Sequence, residues 1–195
     1  MIPAMMPTGF MRGTTWNPAD KSAGITLSNG NLTTSGNGGV RTTTSRNNGK
    51  LYLEFLCVSV AGNNTLLGIS SGSSDGPSPP YTPTSPYNYW ELNIGYGYTG
   101  KMVAGSFFGP FAYNSPYTAG DVVGLAWDAL TGRIWWSKNN TWVGNPSAGT
   151  GAAFTDATGN LFAWSYTVSG SVPTLIVTSG SFSYTPPTGF SAWQP

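Results

Sequence analysis

Seven carboxylates carry nearly all the reactive chemistry this chain could offer: Asp20, Glu54, Asp75, Glu91, Asp121, Asp128 and Asp156. Histidine is absent, which excludes Ser-His-Asp and Cys-His relays and any His-containing metal site. Glycoside hydrolysis stays open in principle, because it needs only two carboxyl groups facing one cleft. Glu54 and Glu91 are the only pair on expected strands, and no acidic cluster of Glu-x-Asp-x-x-Glu type accompanies them. Asp121 and Asp128 stand at opposite ends of one expected strand and cannot converge on calcium alone, so turn capping is their expected role. The single cysteine, Cys57, lies in the apolar run Leu51–Val60 and reads as a small hydrophobe. No catalytic residue, metal or cofactor is expected.

Binding is better supplied than catalysis. Aromatic residues make up 14% of the chain, and an exposed Trp or Tyr costs solubility unless it meets a partner or a sugar face. Trp127, Trp136 and Trp164 fall on inward positions of expected strands and are assigned to the core. Trp135, off the inward register, and Trp142, in the loop Asn139–Pro146, are candidate surface contacts. So are Tyr81 and Tyr87, in the Pro-rich stretch 71–88; that stretch is either a binding loop or a tolerated solvated insertion. Only 8% of residues are charged and the net charge is +1, with no basic stripe, so nucleic acid is not an expected partner.

These side chains must be held by strands. Gly 27 and Pro 15 in 195 residues, with so little charge, fit many short strands joined by tight turns and one sizeable core. The clearest element is a hairpin, Gly120–Asp128 followed by Thr131–Asn140. Val123, Leu125 and Trp127 share one face there, and Trp135 points opposite to Ile134 and Trp136. One arm of it is expected to face a core on one side only. Residues 24–33 and 40–44 read as an edge hairpin, and 50–60 as a central strand paired with 65–70. Residues 89–98 return at 101–104 around Thr99-Gly100, and 161–168 with 174–178 add two strands. About a dozen strands at this spacing make a sandwich.

Residues 1–14 are apolar and Met-rich, with Ile2, Met5, Met6, Phe10 and Met11 broken by Pro3, Pro7 and Gly9. Two readings stay open, a frayed end and an extended arm that docks on another surface. The stretch has neither a basic leader nor an uninterrupted apolar core, and no window approaches the roughly 18 apolar residues of a spanning helix. Synthesis in a cytoplasm without secretion, and no membrane partner, are the expectations.

The order Gly49-Lys50-Leu51-Tyr52-Leu53-Glu54-Phe55, Leu67-Gly68-Ile69-Ser70, Tyr96-Gly97-Tyr98, Gly120–Asp128, Gly132–Asn139 and Pro187-Thr188-Gly189-Phe190 resembles that of SPRY domains over about residues 15–190, in the style of bacteriophage tail proteins. Asn140 departs from the Gly of the family's usual Asn-Gly pair, and Thr178-Ser179-Gly180 from its Asn-Phe-Gly. The resemblance implies an all-β, bent two-sheet antiparallel sandwich of concanavalin-like, jelly-roll type, used for binding and generally not for catalysis. It puts Glu54 at a structural Tyr-x-Glu position and Trp136 at a large inward aromatic. The expected domain plan is an anchoring arm, 1–14, and a SPRY-like sandwich, 15–195.

The resulting functional expectation is a non-enzymatic virion protein, a fibre, decoration or tail-adaptor subunit. It would dock on other virion proteins through its arm, form a homo-oligomer in the particle and display the sandwich toward a host glycan or protein. A lectin-like carbohydrate-binding module is the alternative, and a concanavalin-like glycosidase the least favoured reading.

Overall fold

The computed structural model describes residues 13–62, 64–72 and 87–194. The described chain opens with β1 (Trp16–Lys21), β2 (Ile25–Ser28), β3 (Thr33–Gly36), β4 (Gly38–Arg46), β5 (Lys50–Ser59) and β6 (Leu66–Ser70). It continues with β7 (Tyr89–Asn93), β8 (Tyr98–Val103), β9 (Ser106–Ala112), β10 (Val122–Asp128) and β11 (Arg133–Lys138). It closes with β12 (Thr141–Trp142), β13 (Leu161–Thr167), β14 (Val172–Ile176) and β15 (Ser191–Ala192). Two sheets result. The first runs β1-β4-β13-β6-β7-β8-β9, the second β12-β11-β10-β5-β14-β3-β2, with β15 pairing β5 in parallel. All other strand pairs are antiparallel, so the architecture is the expected two-sheet sandwich.

The core lies between the sheets, where alternate residues of each strand meet. Leu53, Phe55, Leu125, Trp127 and Trp136 of the second sheet face Leu67, Ile69, Trp90, Leu92 and Ala163 of the first. Trp127 stacks on Trp193 at 5.7 Å, and its indole N–H donates to the Ala157 carbonyl at 2.7 Å.

The central hairpin has the expected register, with Leu125 opposite Trp136 and Trp127 opposite Ile134. It departs from expectation in being covered on both faces: every residue of β10 is buried, because later stretches of chain fold over the outer side of this sheet. Two expected pairings and the place of one turn are also corrected. Strands β5 and β6 do not pair; the chain crosses between sheets, so β5 lies against β10 and β14, and β6 against β13 and β7. The hairpin partner of 25–28 is 33–36, not 40–44, since Asn29, Gly30 and Asn31 all take positive φ and turn the chain at once. The turn after β7 falls at 94–97, where Gly97 has φ 70°, and Thr99-Gly100 lies inside β8. Asn140 explains itself: Asn139 and Asn140, at φ 48° and 64°, form the two-residue loop between β11 and β12, a left-handed pair that Asn tolerates nearly as well as Gly.

Candidate binding site

Each sheet has an outward face, and each outward face carries a buried glutamate. On the second sheet Glu54 points away from the core that its neighbours Leu53 and Phe55 build. Its carboxylate accepts the Tyr52 hydroxyl at 2.7 Å and the backbone N–H groups of Ser183 and Tyr184 at 2.7 and 2.9 Å. The segment after β14 therefore closes over this face, and Phe182 meets Tyr52 edge-on at 4.8 Å. Burial, then the Glu54 hydrogen bond, raises the Tyr52 phenol above its ordinary value, so it remains a donor. Glu54 is thus a structural acceptor, in keeping with its Tyr-x-Glu position.

Trp135 lies on this same outer face, opposite in direction to Trp136. It is not exposed: both indoles have 0% accessibility. Residues 143–154 fold back over the hairpin, so the Trp135 N–H donates to the Thr150 carbonyl at 2.9 Å and Phe190 packs edge-on at 6.2 Å. The candidate contact at Trp135 is corrected accordingly: the indole stands off the inward register, but a third layer of chain covers it. Trp142 stays partly exposed. It lines a shallow hollow of about 340 Å³ with Asn140, Asn145, Pro146 and Pro187, its N–H 3.3 Å from Asn140 Oδ1.

The outward face of the first sheet is built differently. Glu91 of β7 pairs with Gly68 of β6 on one side and Gly100 of β8 on the other. Gly68 lets the β6 and β7 backbones approach closely, since a Cβ there would run into the Trp90 carbonyl, while the missing side chain at Gly100 leaves the sheet hollowed beside the carboxylate. A Cβ at Gly100 would stand 2.9 Å from the Phe107 ring and 3.3 Å from Glu91 Oε1, which makes this glycine part of the hollow's floor. The space is about 280 Å³, lined by Glu91, Asn93, Tyr96, Tyr98, Phe107 and Pro110 among others. Its rim is aromatic and open: Tyr96 and Tyr98 stack at 5.6 Å and 16° and are 42% and 39% exposed. Asn93 is only 7% exposed, and its Oδ1 accepts the Gly95 N–H at 3.1 Å, which orients the carboxamide. This site is not visible in the sequence, because Thr99-Gly100 reads there as a turn rather than as part of the strand that forms the hollow's floor.

Tyr87 is half-buried against the cluster of Leu66, Tyr89, Met102 and Trp164, its ring lying where a Cβ on Gly72 would be. Trp164 is therefore buried, but on the outer face rather than in the main core. Tyr81 and the arm residues Ile2, Met5, Met6, Phe10 and Met11 lie outside the described residues. Asp121 and Asp128 cap turns as expected: Asp121 accepts from Thr118 N–H at 2.8 Å and from Asn139, and Asp128 from Leu130 N–H at 3.2 Å. Among the described residues no three His, Cys, Asp or Glu side chains could hold one metal. Burial pushes the Cys57 thiol up to about 12.

Glu54 and Glu91 cannot serve one glycosidic bond. They sit on opposite sheets and both point outward, farther apart than the roughly 10 Å that separates packed sheets, whereas catalytic pairs lie about 5–9.5 Å apart.

No protein-family model matches the chain, and no curated protein matches it. Solved structures do. The SPRY domain of human HERC1 superposes with a TM-score of 0.60 at 17% identity, over 83% of this chain and 96% of that one. The PSpry domain of TRIM65 gives 0.56 at 15%, over 84% and 91%. Stonustoxin gives 0.58 at 14%, over 84% of this chain but 27% of its own. The resemblance noted in the sequence is thereby matched at the level of fold: this chain has the sandwich of SPRY domains.

Proposed function

We propose that the chain is a non-catalytic recognition subunit of a bacteriophage virion, anchored through residues 1–14 and presenting the outward face of its first sheet. The observation that carries this reading is a separation within that sheet. The described chain begins beside β1, where the Thr14 N–H donates to Gln194 Oε1 and its hydroxyl lies 2.6 Å from that of Thr44. Sheet order puts five steps between β1 and β8, about 24 Å at about 4.8 Å per step. An anchor at one edge leaves the hollow at the other edge free to meet a partner. The SPRY fold, used for binding, and the engaged state of Glu54 support recognition over hydrolysis.

Deleting residues 1–12 tests it. The truncated chain should melt as the whole chain does, because every described strand starts later, and it should be missing from purified particles by mass spectrometry. Normal incorporation of the truncated chain would overturn the anchoring role, and absence of the whole chain from the particles would overturn the virion reading.

A further inference from the structure

We infer that the hollow around Glu91 takes one ring of a neutral carbohydrate, which rests on the recognition reading above and names its ligand class. The lining requires a guest that both donates and accepts hydrogen bonds. Glu91 supplies acceptors at the floor, whereas Asn93, with its oxygen engaged by Gly95, chiefly offers its amide N–H groups. A hydroxyl satisfies both. An ammonium or guanidinium has only donors and would leave the Asn93 amide facing a cation, and an anionic guest would meet the Glu91 carboxylate in a site of low exposure.

The apolar part of the lining has the matching shape. A pyranose has one face of C–H groups and an equatorial belt of hydroxyls, and the parallel Tyr96–Tyr98 pair at the rim presents a flat aromatic surface beside the polar floor. Phe107 and Pro110 add apolar surface to the lining. Gly100 admits the ring: a Cβ there would project into the space between Phe107 and Glu91. Small sites of this kind are concave, largely apolar and furnished with a few convergent polar groups.

The test is saturation-transfer NMR on the whole chain with four probes: the methyl glycosides of glucose, galactose, mannose and N-acetylglucosamine. At least one should receive saturation from the aromatic protons. Tyr98→Ala, at an exposed position, and Gly100→Ala should each weaken that probe about tenfold or more, while Trp142→Ala, at the other exposed aromatic hollow, should leave it unchanged. Should Gly100→Ala fail to fold, Tyr98→Ala alone decides. Transfer to none of the four probes, transfer that survives Tyr98→Ala, or displacement of the glycoside by butylammonium would overturn the inference. If no glycoside binds but the chain is still lost from particles without residues 1–12, the carbohydrate inference fails and the virion reading stands; binding by a chain that is absent from particles fails the virion reading alone.

Discussion

The two outward faces start from the same element, a glutamate with both neighbours pointing into the core, and end as opposites. On the second sheet three donors converge on Glu54 and two further stretches of chain, 143–154 and 178–194, roof the face; polar and aromatic groups there are consumed by the fold. On the first sheet the residues across from Glu91 are glycines, the neighbouring tyrosines are exposed, and a hollow remains. A buried carboxylate is therefore no mark of function by itself. What separates the two is whether the chain supplies the roof or leaves it to a partner.

The largest expected effect breaks the comparison if it fails. Trp135→Ala and Trp136→Ala should each cost about 3–5 kcal/mol, as emptying a large buried site does, because the roofed face is as closed as the core. Tyr98→Ala on the open face should cost less than about 1 kcal/mol. Thermal or denaturant melts measure all three; a cheap Trp135→Ala would mean that the second face is open as well.

Next comes Glu54→Gln, expected to cost about 2–3 kcal/mol. The carboxylate accepts three hydrogen bonds, and an amide in its place turns one N–H₂ toward a buried donor, the Ser183 N–H or its neighbours.

Acid should reveal a smaller effect. Partial burial pushes the Asp156 carboxyl up, but the hydrogen bonds from Lys101, at 2.5 Å, and Trp90, at 2.9 Å, outweigh it and hold the group below its ordinary range. Asp121 is likewise lowered, by Thr118, Asn139 and Lys138 against its own desolvation. A carboxylate with a depressed folded value stabilises fully above its unfolded value and loses that contribution as pH falls through the folded one. Melting temperature should thus be insensitive to these groups near neutrality and decline below about pH 4, with part of the decline absent in Asp156→Asn.

The smallest effect is a gain. Ala104 holds φ 50° in the two-residue loop between β8 and β9, a conformation that disfavours a Cβ. Ala104→Asn should stabilise by about 0.5–1 kcal/mol without altering binding in the hollow that these strands border.

The sequence was legible where neighbours in the chain are neighbours in the sheet. The register of β10 and β11 follows from alternation together with the four-residue turn between them, and the opposed directions of Trp135 and Trp136 from alternation. Alternation does not say which sheet a strand joins, so β5 and β6, consecutive and both apolar, were expected to pair although the chain changes layers between them. Nor does it report what folds back later: Trp135 is covered by Thr150 and Phe190, and the latter is 55 residues away in the sequence. Strand β9 escaped notice because Gly109-Pro110 interrupts its pattern, as the register shift there records. The hollow depends on Glu91 and Gly100 standing opposite each other on β7 and β8, a relation that exists only once the pairings are known. Turn chemistry, by contrast, is local, and Asp121, Asp128 and the Asn139-Asn140 loop were readable from the residues.

The central claim, that Glu54 holds the fold while Glu91 meets a ligand, is tested most directly by the melting temperatures of Glu54→Gln and Glu91→Gln, each with and without the methyl glycoside that binds the native chain. A ligand bound only to the folded state raises the melting temperature as its concentration exceeds its dissociation constant. Glu54→Gln should melt lower yet keep the rise on adding glycoside, whereas Glu91→Gln should lose less stability and show no rise. The reverse pattern, with the rise lost in Glu54→Gln and kept in Glu91→Gln, would contradict the assignment of the two faces.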